Sequence, residues 1–90
     1  MTEGYQVRIT KRALKDIRAL SQKMKQKLKD LLTGVLAVNP YEGKRLTGDL
    51  EGNFSLRLFV RDRIVYSIDE ELGVVYVKRA RTHYLSLIHI

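Results

Sequence analysis

Residues 54–68 read FSLRLFVRDRIVYSI, and the alternation inside this stretch decides the fold. Phe54, Leu56, Leu58 and Val60 alternate with Ser55, Arg57, Phe59 and Arg61, and Ile64, Tyr66 and Ile68 alternate with Arg63, Val65 and Ser67. A period of two puts successive side chains on opposite faces of a strand, so each run reads as a strand with one buried face. A three-residue turn at Arg61, Asp62 and Arg63 predicts a hairpin pairing Leu56 with Ile68, Leu58 with Tyr66 and Val60 with Ile64. The even-numbered apolar set then faces a core. Arg57, Arg61 and Arg63 share the other face, with Phe59 and Val65 between them as surfaces on which a base can stack.

Working outward, residues 69–73 supply a turn and residues 74–81 a last strand carrying Lys78, Arg79 and Arg81, which alternation divides between two faces. On the other side, Lys44 and Arg45 lie in a glycine-flanked loop, and Asn39-Pro40 punctuates the chain. Before that mark the spacing is helical. Residues 5–10 alternate as a strand, and Thr10 is placed to cap a helix whose inner face is Ala13, Leu14, Ile17 and Leu20. Ser21 caps a second helix with a stripe of Met24, Leu28, Leu31, Leu32, Val35 and Leu36, weakened near its end by Gly34. So short a join predicts an antiparallel helix pair. The fold class is α+β: an N-terminal strand, the helix pair, then a mainly antiparallel meander sheet with helices on one face.

Ninety residues make one domain. With 44% hydrophobic and 30% charged residues the composition is that of a globule, which excludes a disordered tail. The absence of cysteine excludes disulfide frameworks, zinc ribbons and thiol catalysis. No apolar run approaches a membrane span and no secretory segment is visible, so the expected location is cytoplasmic. Seventeen Lys and Arg against ten Asp and Glu give a net charge of +7, which favours an anionic partner such as RNA or DNA.

The run Arg79-Ala80-Arg81-Thr82-His83-Tyr84 carries a proton-transfer group beside two guanidinium groups and an aromatic ring. Histidine exchanges protons near neutral pH, and arginines stabilise a phosphorane. Together they suit RNA cleavage in which a 2′-hydroxyl attacks the adjacent phosphate. No Asp, Glu or His cluster has metal-ligand spacing, so the chemistry expected is metal-independent and needs no cofactor.

The element order, with Asn39-Pro40, Tyr41-Glu42-Gly43-Lys44, Arg63-Ile64-Val65-Tyr66 and Arg81-Thr82-His83-Tyr84, resembles the RelE/ParE superfamily of toxin–antitoxin toxins. Its Txe/YoeB type of mRNA interferase is the most similar branch. The resemblance spans residues 5 to 84, so it implies one toxin domain over residues 1–84, with residues 85–90 an extra apolar tail, native or not. It implies a toxin that cuts mRNA in the ribosomal A site and is silenced by a cognate antitoxin. In that reading Arg63 stabilises the scissile phosphate, His83 is the general acid, Tyr84 stacks or orients, and Arg81 assists. Lys44, Arg45, Arg57, Arg61 and Arg79 contact the RNA. The branch's loop glutamate has no counterpart here, which leaves the 2′-hydroxyl proton to Lys44, His83, Asp49, Glu51 or Glu42. A ParE-like inhibitor of DNA gyrase, and a module that binds nucleic acid or an antitoxin without cutting, are the alternatives.

Overall fold

The alternating stretch forms the middle of a five-stranded sheet in the computed structural model, which describes residues 4–81. The strands are β1 (Gln6–Ile9), β2 (Lys44–Arg45), β3 (Phe54–Arg57), β4 (Arg63–Asp69) and β5 (Val74–Arg81), in the spatial order β1-β5-β4-β3-β2. β1 runs parallel to β5 and every other pair is antiparallel. The meander is therefore as expected, and the N-terminal strand closes it by adding to its far side. His83, Tyr84 and the 85–90 tail lie outside the described residues.

Between β1 and β2 come α1 (Lys11–Arg18) and α2 (Gln22–Leu31). Both expected caps are formed: the Thr10 hydroxyl accepts the Ala13 N–H and the Ser21 hydroxyl accepts the Met24 N–H, each at 3.2 Å. Such a cap satisfies an orphan donor and stabilises a helix by about 1 kcal/mol. Past Leu31 the helix widens into a π-type turn, Leu32–Leu36, around Gly34, before Asn39-Pro40 stops it. Ala13, Leu20, Leu28 and Leu36 pack against Phe54, Ile64, Tyr66, Val75, Val77 and Ala80, so the helices do cover one sheet face. Among the described residues no helix is long and apolar enough to cross a membrane.

The hairpin register differs from the expected one. Phe54 pairs with Tyr66, Leu56 with Ile64 and Arg57 with Arg63, so the register slips by four residues and β3 ends three residues earlier than a tight Arg61–Arg63 turn requires. Leu58 is the reason: only 2% exposed, it drops into the core from the loop, and its N–H and that of Phe59 both donate to the Asp62 carbonyl, at 2.7 and 3.3 Å. Val60, expected to face the helices, stands at the loop tip with 81% of its surface exposed. Phe59 packs on the core and is no stacking surface on the arginine face. Because the slip is even-numbered, each strand keeps its inner and outer faces. A second irregularity lies in β5, where Arg79 opposes Val65 and Val77 opposes Tyr66, leaving Lys78 as the extra residue of a bulge.

Candidate nucleic-acid interface

Residues directly opposite one another in a sheet share a face. Arg57 is opposite Arg63, and Arg63 is opposite Arg81, so three guanidinium groups from three strands form one row across the uncovered face. At the usual strand spacing the row is about 10 Å wide at the backbone. Lys44 pairs with Ser55 and Ser55 with Val65, which puts the Lys44 ammonium on the same face one step along. Among the described residues none of these four cations has an ion-pair partner. Like charges set opposite one another repel, and the row is stabilised by an anion placed between its members.

A pocket of about 380 Å³ opens beside this row, lined by Glu42, Lys44, Arg57, Arg61, Asp62 and Arg63. Its floor is the sheet and its wall is the 58–62 loop, which brings Arg61 in. The other wall is the Pro40–Glu42 turn and its exit through Gly43. That approach is tight. The buried Tyr66 hydroxyl donates to the Pro40 carbonyl at 2.6 Å, and a Cβ at position 43 would meet the Tyr66 hydroxyl and lie 2.7 Å from the Ser55 carbonyl. Glycine is therefore required by proximity. Burial pushes the Tyr66 phenol up, so it stays a hydrogen-bond donor at neutral pH.

Not every expected residue joins the row. Arg45 pairs with Phe54 and points to the other side of β2, its guanidinium 5.7 Å from the centre of the Phe54 ring. It lines a separate pocket with Tyr41, Asn53 and Glu51. Arg79 is bound in an ion pair, its Nε 2.8 Å from Asp16 Oδ2 and its Nη2 3.4 Å from Asp16 Oδ1. The same Asp16 oxygen accepts the Ala80 N–H at 3.0 Å. Partial burial acts to raise the Asp16 pKa, but the hydrogen bonds from Arg79 and Ala80 and the charges of Arg79 and Arg12 outweigh it and hold the carboxyl below its usual range. Of the carboxylates named as proton acceptors, Glu42 lines the arginine pocket, and Asp49 and Glu51 do not. Asp62, which also lines it, and Asp16 were not anticipated. Asp16 lies 63 residues from Arg79 in sequence, and no local pattern signals such a pair.

No family model and no curated protein matches the sequence. Solved structures do. The toxin–antitoxin complex RelBE2 from Mycobacterium tuberculosis is 30% identical over 92% of this chain and 95% of that one, with a TM-score of 0.83. A mutant of the E. coli toxin RelE in the free state is 28% identical over 97% and 92%, with a TM-score of 0.75. The YoeB/ParE toxin from Agrobacterium tumefaciens, at 24% identity over 88% and 99% with a TM-score of 0.73, shares the fold. The sheet order, the covering helices and these likenesses agree: the chain belongs to the RelE/ParE superfamily of toxins from toxin–antitoxin systems.

Proposed function

We propose that this protein is the toxin of a toxin–antitoxin pair and acts as a metal-independent endoribonuclease on mRNA in the ribosomal A site. The observation that carries the reading is the Arg57–Arg63–Arg81 row with Lys44 beside it, four cations on one open face, of which Lys44, Arg57 and Arg63 line a pocket. Guanidinium forks match phosphate oxygens, and a phosphate among them gains most as it acquires charge on becoming pentavalent. In the proposed step the 2′-oxygen attacks phosphorus and gives its proton to an acceptor, a role open to Glu42 or Lys44, both of which line the pocket. The bond from phosphorus to the 5′-oxygen breaks, and His83 protonates that oxygen. The products are a 2′,3′-cyclic phosphate and a free 5′-hydroxyl. Arg63 and Arg81 hold the phosphate, Arg57 and Arg61 the adjoining backbone, and Tyr84 stacks on a base. The cognate antitoxin, an acidic segment suited to a +7 chain, silences the protein by docking beside its helices and blocking or displacing the catalytic groups.

Primer-extension mapping of cellular mRNAs after expression tests the reading. Cuts spaced by the reading frame are expected, and Arg63→Ala or His83→Gln abolishes them while antitoxin affinity persists. Removing the Arg63 charge is expected to slow cleavage by about 10²–10³-fold, as loss of a transition-state donor commonly does. If both variants stay fully toxic and no cuts map, the ribonuclease reading fails and a gyrase-directed action takes its place.

A further inference from the structure

β5 has a strand on each side only for half its length. β1 supports it over Val74–Val77, the Thr10 N–H donates to the Val77 carbonyl at 3.0 Å, and there the first strand turns away into α1. Immediately afterwards comes the bulge at Lys78, and only after it the stretch that sets Arg81 opposite Arg63. A strand end that has lost one neighbour and carries a bulge is where a sheet frays. In this protein that end holds a member of the arginine row.

α1 takes over where β1 leaves. Asp16, in its last turn, accepts the Ala80 N–H at 3.0 Å and the Arg79 Nε–H at 2.8 Å with one oxygen, and Arg79 Nη2 reaches the other at 3.4 Å. One side chain thus substitutes for the missing strand. It also withdraws Arg79, whose charge would otherwise stand near Arg63 and Arg81. We infer that Asp16 is a positioning residue for the anion site: by holding the Ala80 backbone it keeps Arg81 in register with Arg63. The inference rests on the reading of the row as a phosphate site. It does not require that the phosphodiester be cut.

Two measurements on the full chain test it. The first is cross-strand nuclear Overhauser contact between the backbones of Arg63 and Arg81. The second is the affinity for a fluorescent 2′-O-methyl RNA oligomer, which has no free 2′-hydroxyl and cannot be cleaved, at a temperature where every variant is folded. Asp16→Ala is expected to lose the contact and to bind about fivefold more weakly, the scale set by the net worth of one ordinary hydrogen bond. Asp16→Asn keeps an oxygen for the Ala80 N–H and is expected to retain the contact and to bind within about twofold of the unsubstituted protein. Ile17→Val, on the same helix, lowers the melting temperature and leaves both readouts alone, which separates positioning from general stability. The inference is overturned if Asp16→Ala keeps the strand contact, or if Asp16→Asn fails as badly as Asp16→Ala. Should the unsubstituted protein ignore the oligomer while Asp16→Ala still loses the contact, the phosphate reading falls and the positioning role stands.

Discussion

Arg63 sits between two like charges, Arg57 on one side and Arg81 on the other, and a fold does not gain from that. Directly opposed like charges destabilise a sheet by about 0.2–1 kcal/mol per pair. Arg63→Gln is therefore expected to raise the melting temperature in dilute buffer while removing activity. The gain should vanish near 1 M salt, where screening acts over about 3 Å. Calorimetry at two salt concentrations decides this; a variant that melts earlier at low salt would mean the row is not repulsive. Alternation alone made it legible that Arg57 and Arg63 share a face, because parity survives an even change of register; that they stand directly opposite was not legible. Arg45 was not legible, since two residues are too few to show a period. The glycine at 43 is a sharper case: its need comes from the Tyr66 hydroxyl and the Ser55 carbonyl arriving from other strands. Gly43→Ala is expected to move the turn and lower the affinity for a short RNA, whereas Tyr66→Phe leaves the Pro40 carbonyl without its partner and costs about 1–2 kcal/mol in denaturant unfolding.

At the scale of elements, the 58–62 loop and the short β2 shape the pocket. Arg-Asp-Arg between two alternating runs has the look of a tight turn, and the even-numbered apolar residues fit either register equally well. Burial of Leu58 from the loop settles the matter, and nothing in a local pattern distinguishes a Leu that ends a strand from one that continues it. Leu58→Ala is expected to cost about 2–5 kcal/mol, as loss of a buried leucine does, and Val60→Ala less than about 0.5. Equal costs in urea melts would restore the tighter hairpin. The helix caps, by contrast, depend on residues three apart and were readable at once. Both Thr10 and Ser21 precede apolar stripes, and both hydroxyls accept the predicted kind of bond.

Across the whole molecule charge is separated along the sheet. The arginine row lies at the end of β4 that begins with Arg63, and Glu70 and Glu71 follow its other end. There the hydroxyls of Tyr5 and Tyr41 both donate to Glu70 Oε2, and that bond pushes the Tyr41 phenol up to about 12. A phenol whose folded pKa exceeds its unfolded value of 10.0 stabilises the fold below that value, so stability is expected to decline from about pH 10 towards 12. At the acid end Asp16 has the opposite sign. Its folded pKa lies below 3.8, so its contribution is complete above that pH and is lost as the pH falls further. Melting temperatures measured across pH check both limbs, and Asp16→Asn should flatten the acid one. RNA affinity is expected to fall with salt at a logarithmic slope of about −3, as four phosphate contacts to a single strand require. A flat response would point to a partner recognised by protein contacts alone. The strand order has one more consequence. β5 lies between β1 and β4, so the earliest strand to leave the ribosome has no neighbour until the latest of the described strands has emerged. A nascent chain therefore can complete neither the sheet nor its cationic row, which needs Arg81, before β5 is free to fold.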